Sequence, residues 1–226
     1  MEKILDTFGK ILCVAFLWQA YNSLFVLPAD MHQGEVYRII YLHVPAAFAA
    51  FALAFVLFLV SVYGLVSKNL NAEFWGRAVA EFGFIFTLLT LVTGSIWGRP
   101  TWGVWWTWDA RLTTTFILAV LYAGYLLLWS SMSPGMARIK STSILGVLIA
   151  VDVPIIYKSV TWWRTLHQPP SMMREGGSTM APEILSHLIW CIVVLSFIAL
   201  FLAWKRMQNL KVERMIEVKT LNQMRA

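Results

Sequence analysis

Residues 97–111 read WGRPTWGVWWTWDAR, and this stretch holds five of the twelve tryptophans in a chain of 226 residues. Long apolar runs flank it, so it connects two membrane-spanning segments and is not itself a span. Tryptophan is enriched at membrane–water interfaces, which accounts for scattered residues such as Trp18 and Trp204. Five tryptophans in one short connection exceed that background. We therefore predict a flat aromatic surface at the membrane interface on which a hydrophobic ligand stacks.

The rest of the chain is too apolar for a soluble core, because 59% of its residues are hydrophobic and only 13% are charged. The net charge of +6 is typical of cytoplasmic loops in a membrane protein and does not indicate nucleic-acid binding. Cys13 and Cys191 lie inside apolar runs and form no CxxC motif. This disfavours thiol–disulfide chemistry and covalent haem attachment to this chain.

Hydropathy predicts an all-α, polytopic membrane protein with a single domain over residues 1–226. Helices are expected because a span must satisfy its own backbone hydrogen bonds, and each run approaches the ~20 residues that cross a bilayer. The six predicted transmembrane helices cover residues 11–27, 42–66, 80–97, 112–129, 143–162 and 184–204, and a polar tail covers residues 205–226. The first span is the weakest, because Gln19, Tyr21 and Asn22 interrupt it.

The distribution of lysine and arginine predicts the orientation. With the N-terminus inside, the cytoplasmic segments hold twelve of these residues and the opposite side holds six. The excess predicts that both termini are cytoplasmic. Residues 97–111 then lie on the outer face with the loops 28–41 and 163–182, which in a bacterial inner membrane is the periplasmic face.

The tryptophan spacing predicts a short interfacial helix over residues 101–110, with Pro100 near its first turn, where proline is tolerated. At helical spacing one face would carry Trp102, Trp105, Trp106 and Asp109. Trp108 and Arg111 would point elsewhere. We expect the three indoles of that face to form the stacking surface.

Two histidines belong to the same predicted face of the membrane. His43 lies at the mouth of the second span and His167 in the last outer loop. Imidazole is a common iron ligand, so the pair is a candidate for bis-histidine haem ligation. His32 is expected to be solvated. His187 follows Glu183 by one helical turn, where a hydrogen bond between the two explains it, but it is the rival ligand if one assignment is wrong.

Three further charges are candidate site residues. Arg99 and Arg111 flank the aromatic stretch and either pair with ligand carboxylates such as haem propionates or snorkel to the interface. Asp152 lies mid-span and is either functional or bonded within the bundle near Pro154. The sequence has no Walker A motif and no nucleophile–base pair, so we expect neither ATP binding by that route nor an enzyme.

Three motifs resemble those of the cytochrome c maturation protein C (CcmC) family. The run WGxxxWGxWWxWDxRLT, from Trp97 to Thr113, resembles the tryptophan-rich WWD signature of haem-handling proteins in cytochrome c biogenesis. HVPAA from His43 and WWxTLHQ ending at Gln168 narrow the resemblance to this family. The motifs occur in the same order, and the similarity covers nearly the whole chain.

The resemblance implies that haem b is held non-covalently at the periplasmic face, with His43 and His167 as axial ligands of the iron. It implies delivery of haem to the periplasmic chaperone CcmE. The implied partners are CcmD, the ABC-type subunits CcmA and CcmB, and membrane lipid. The cofactor-binding residues expected beside the histidines are Trp97, Trp102, Trp105, Trp106, Trp108, Asp109, Arg99 and Arg111.

Two other functions compete with this hypothesis. An exporter or permease subunit of an ABC-type complex would move haem across the bilayer and would need polar groups along the bundle, for which Asp152, Thr90 and Thr93 are candidates. A dihaem electron-transfer protein needs four histidine ligands, usually at both membrane depths. This sequence places none in mid-membrane.

Overall fold

The structure is a computed structural model, and it describes residues 2–168, 171–172 and 176–225. The all-α prediction is confirmed: these residues contain no strand, and six of their helices are long and apolar enough to cross a membrane. The helices are α1 (Glu2–Tyr21), α2 (Ile40–Ser67), α3 (Ala72–Trp102), α4 (Ala110–Ser131), α5 (Met136–Trp162) and α6 (Pro182–Arg225). A π-helical turn (Asn22–Val26) and a 3-10 turn (Glu35–Ile39) connect α1 to α2.

The helices extend beyond the predicted spans. α3 begins at Ala72 and not at residue 80, and α1 begins near the start of the chain. The predicted polar tail is helical through Arg225 and continues α6 without a break. The 44 residues of α6 span about 66 Å, roughly twice the hydrocarbon thickness. Hydropathy detects the apolar part of a helix and misses its hydrated ends, which explains these differences.

The central helix is α2, which packs against α3, α5 and α6. Its buried face is built from small residues, which let neighbouring backbones approach closely. The fully buried alanines of this face are Ala46, Ala49 and Ala54. On α3, Gly83 leaves room for the buried ring of Tyr122, because a Cβ at this position would lie 2.3 Å from the Tyr122 Cζ. Close packing therefore holds α2, α3 and α4 together along the bundle.

Ion pairs connect the helices at one end of the bundle. Arg138 of α5 donates to Glu73 of α3 at 2.5 Å, and both side chains are buried. The Trp129 ring lies between two guanidinium groups, 4.0 Å from Arg77 and 4.1 Å from Arg138, in cation–π geometry. Arg206 of α6 donates to Glu81 of α3 at 2.7 Å, so α3, α5 and α6 are tied together here.

Candidate functional site

The opposite end of the bundle, which carries residues 97–111 and is called here the tryptophan end, contains a cavity. Its empty volume is about 1070 Å³, a figure that includes space open to solvent. Both His43 and His167 line it. The other lining residues from the predicted site are Trp97, Trp102, Trp106 and Arg111. The structure thus brings together six of the ten residues that the sequence predicted.

His43 lies in the first turn of α2 and is partly buried. Its Nδ1 is 3.0 Å from the Oγ1 of Thr93 on α3. The Trp97 ring packs edge-on against the imidazole, with 5.7 Å between ring centroids. Trp97 is held in turn, because its indole N–H donates to Oε1 of Gln33 at 2.7 Å. Two helices therefore position this imidazole.

His167 lies in the non-helical segment 163–168 that follows α5, and the carboxylate of Asp109 holds that segment in place. One oxygen of Asp109 accepts from the Thr165 hydroxyl at 2.5 Å and from the Leu166 N–H at 3.2 Å. The other accepts from the Leu112 N–H at 2.9 Å, which caps the N-terminus of α4. A single carboxylate thus joins α4 to the segment that carries His167. We call this contact between Asp109 and Thr165 the Asp109 clamp.

The His167 imidazole is neutral at physiological pH. Burial lowers the pKa of His167 to about 4, and the positive charge of Arg111 adds to the effect. The Arg111 Nη1 lies 3.4 Å from the His167 Nδ1. A neutral imidazole keeps a nitrogen lone pair, which is the form that coordinates a metal ion.

The predicted helix over residues 101–110 is wrong. α3 continues to Trp102 and ends at Gly103, whose φ of 80° is the left-handed conformation that favours glycine at a helix end. The backbone from 103 to 109 is non-helical, and α4 begins after Asp109. Gly103 and the capping aspartate break a run of tryptophans that would otherwise be compatible with one helix.

Because the chain is not helical here, the residues of the predicted stacking face do not all face the cavity. Trp105 and Trp108 are 59% and 71% exposed and do not line the cavity. Trp108 packs edge-on against Trp106, with ring centroids 5.3 Å apart. Arg111, expected to point away from the stacking face, lines the cavity. Arg99 is exposed and donates to the Gly103 carbonyl at 2.6 Å.

Other sequence-based expectations have mixed outcomes. His187 bonds to Ser23, with 2.9 Å between Nε2 and the hydroxyl oxygen, so the predicted bond to Glu183 is wrong. His187 does not line the cavity. His32 is exposed, as predicted. The buried Asp152 has one carboxylate oxygen without a hydrogen-bond partner among the described residues.

The sequence-based prediction gave Gln33 and Thr165 no role in the site. It also did not include the bond between Thr93 and His43. Each acts through a contact with a residue far away in the chain. The Thr93–His43 pair is separated by 50 positions and the Thr165–Asp109 pair by 56. Neither residue type nor local spacing marks such partners. The WWxTLHQ motif is the sequence feature that directed attention to this segment, but it gave Thr165 no role.

Together these features define a polytopic helical membrane protein that turns two imidazoles toward one aromatic cavity. The family model described as "Heme exporter protein C" (CcmC) matches residues 1–222. Heme exporter protein C of Escherichia coli strain K12 is 38% identical over 200 residues, which cover 88% of this chain and 79% of the relative. The same-named protein of Haemophilus influenzae is 40% identical over 203 residues, or 89% and 81% of the two chains.

A plant relative, the putative cytochrome c biosynthesis ccmC-like mitochondrial protein of Arabidopsis thaliana, is 42% identical over 188 residues, which cover 80% of this chain and 66% of the relative. The chain belongs to the CcmC family, whose members handle haem in cytochrome c biogenesis.

Loss of the Asp109 clamp is expected to expose the segment that carries His167. Thr165→Val removes the hydroxyl donor but keeps the side-chain shape. A hydrogen bond to a charged group contributes about 1.5–3 kcal/mol, so the open population should rise at least about tenfold. Trypsin cleavage after the exposed Arg164 measures this population, since proteolysis follows local opening.

Thr165→Ser retains the donor and is the matched control. Cleavage after Lys68, which is exposed at the opposite end of the bundle, should not change in either variant. Equal cleavage rates after Arg164 in the valine variant and the wild-type protein would show that the clamp does not hold the segment.

Proposed function

We propose that this protein binds haem b non-covalently at the tryptophan end, with the iron between His43 and His167. One observation carries the proposal: imidazoles from α2 and from the connection after α5 line the same aromatic cavity. Trp102 and Trp106 offer rings against which a flat macrocycle packs. Two axial imidazoles bind haem iron in a stable complex.

The polar groups of the cavity fit the periphery of haem. Arg111 lines the wall, and a guanidinium pairs with carboxylates such as the haem propionates. The indole N–H of Trp106 is buried and has no partner among the described residues, so a bound ligand could supply an acceptor. The walls are otherwise mainly apolar, which suits the face of the macrocycle.

The proposed role is delivery of haem without an enzymatic reaction. The twelve-to-six distribution of lysine and arginine supports a periplasmic tryptophan end and cytoplasmic termini in a bacterial inner membrane. A cavity that opens at this end gives access to a soluble acceptor, which we propose is CcmE. CcmD, CcmA and CcmB are the proposed membrane partners, and the relatives' printed name, heme exporter protein C, is compatible with such an assembly.

The double variant His43→Ala, His167→Ala should purify without haem, because both axial ligands are lost. The absorption spectrum of the detergent-purified protein measures this as loss of the Soret band, with membrane insertion confirmed separately. His187→Gln, which changes a histidine that lines neither this cavity nor the neighbouring one, is the matched control and should retain haem. Haem retained at the wild-type level in the double variant would refute the ligand assignment.

Two neighbouring tryptophans distinguish the observed cavity from the predicted helical face. Trp106 lines the cavity and Trp105 does not. Aromatic contact contributes about 0.5–1.5 kcal/mol beyond area burial, so Trp106→Ala should weaken haem binding at least about 2- to 10-fold. Trp105→Ala should leave the affinity unchanged. Equal losses in a haem titration of the two variants would instead support the one-face arrangement.

The competing proposal is a permease subunit that moves haem across the bilayer. Two observations favour it: the word "exporter" in the relatives' name, and the buried Asp152, whose Oδ2 has no hydrogen-bond partner among the described residues. Sealed vesicles with a haem-binding apoprotein trapped inside distinguish the two functions. We expect haem added outside to bind the protein but to reach the lumen no faster than in protein-free vesicles.

Asp152→Asn should leave both haem binding and this background rate unchanged. Faster loading of the lumen by the wild-type protein, abolished by Asp152→Asn, would establish the permease function instead.

A further inference from the structure

The His43 ring bonds to two groups of α3, the hydroxyl of Thr93 and the main-chain carbonyl of Thr90. Thr93 is buried, and its oxygen lies 3.0 Å from the His43 Nδ1. The same hydroxyl donates to the Leu89 carbonyl at 2.6 Å, one turn earlier in the helix. A hydroxyl has a single proton, and a carbonyl only accepts. While this proton is donated to Leu89, the Thr93 oxygen can only accept from His43, so the geometry favours the tautomer with the proton on Nδ1.

The surroundings of the His43 ring hold it in one orientation. A Cβ at Gly94 would lie 3.0 Å from the His43 Cε1, so the absence of a side chain there lets the ring lie against the backbone of α3. Trp97, about one turn further along α3, packs edge-on against the same ring. With Nδ1–H bonded to Thr93, the nitrogen that retains a lone pair is Nε2.

His167 reaches the same tautomer by a different contact. Its Nδ1 lies 3.0 Å from the main-chain carbonyl of Gln168, which can only accept. The Arg111 Nη1, 3.4 Å from the same nitrogen, can only donate and favours the opposite tautomer. The carbonyl is the nearer partner, and it favours a proton on Nδ1. These contacts favour Nε2 as the unprotonated nitrogen of both imidazoles.

We propose that Thr93 is a positioning residue for the His43 imidazole: it holds Nδ1–H toward α3 and leaves Nε2 as the atom that binds the haem iron. The proposal rests on the proposed haem ligation by His43. A hydrogen bond from the second ring nitrogen fixes the orientation of a ligating histidine and raises its basicity. Loss of such an outer contact costs about 10- to 100-fold in metal affinity.

Thr93→Val tests the proposal because it removes the oxygen and keeps the side-chain shape. We expect haem affinity to fall about 10- to 100-fold, the reduction potential to rise because the ligand donates less strongly, and the haem absorption bands to shift. Thr93→Ser retains the oxygen and should behave as the wild-type protein. Thr93→Ala repeats the test if valine disturbs packing.

Thr142→Val is the structural control. Thr142 is buried on α5 and donates to the Arg138 carbonyl at 2.8 Å, so this variant loses a comparable helix contact outside the cavity. Its haem affinity and reduction potential should not change. A Thr93→Val protein with wild-type affinity, potential and spectrum would overturn the proposal.

A measurement on the haem-free protein separates this proposal from the proposed function. Nitrogen NMR of protein labelled with ¹⁵N-histidine, with the His43 signals assigned by a His43→Gln variant, reports which ring nitrogen is protonated. We expect Nδ1–H in the wild-type and Thr93→Ser proteins and a different tautomer distribution in Thr93→Val. An Nε2–H tautomer in the wild-type protein would refute the role of Thr93 even if haem binds. Failure of the wild-type protein to bind haem, with the Nδ1–H tautomer present, would refute haem ligation alone.

Discussion

Backbone hydrogen bonding within a bilayer is the constraint on which this structure depends. A membrane-spanning segment has no water to satisfy its N–H and C=O groups, so it must be helical across the hydrocarbon. Irregular backbone is then confined to the helix ends and to cavities. The candidate site is built from such ends: His43 in the first turn of α2, Asp109 at the start of α4, and His167 after the end of α5.

Asp109 connects the start of α4 to the segment that follows α5. Its carboxylate caps α4 and holds the segment of His167 at the same time, but it does not line the cavity. Asp109, the aspartate of the tryptophan-rich motif, therefore positions the start of α4 and the segment that carries His167, and it does not itself line the cavity. The position of His167 depends on the start of α4, where Asp109 lies. The position of His43 depends on the continuous helix α3, which carries Thr93.

The two ends of the bundle are stabilised differently. At one end, the buried Arg138–Glu73 ion pair, the partly exposed Arg206–Glu81 ion pair and the Trp129 ring between two guanidinium groups join α3, α5 and α6. Such pairs are better suited to fixing the relative placement of helices than to adding net stability. At the tryptophan end, aromatic rings and hydrogen bonds surround a cavity instead. A bundle fixed at one end can keep a ligand site open at the other.

The length and apolar character of the six runs determined the number and type of helices, because hydropathy over some twenty residues is a local property. Local motifs likewise indicated the family, the two histidines and the aromatic stretch. Hydropathy could not locate the hydrated helix ends, so α3 and α6 exceed their predicted lengths. The tryptophan spacing could not show that α3 ends at Gly103 inside the motif. The same spacing is compatible with a continuous helix and with a helix that stops within the run.

Only the tertiary structure decided which tryptophans face the cavity and what holds each imidazole. Trp106 lines the cavity and the adjacent Trp105 does not, because the chain between α3 and α4 is not helical. The threonines that hold His43 and the His167 segment meet partners 50 and 56 positions away. Those hydrogen bonds exist because packing brings distant helix ends together, and no local pattern of residues encodes them.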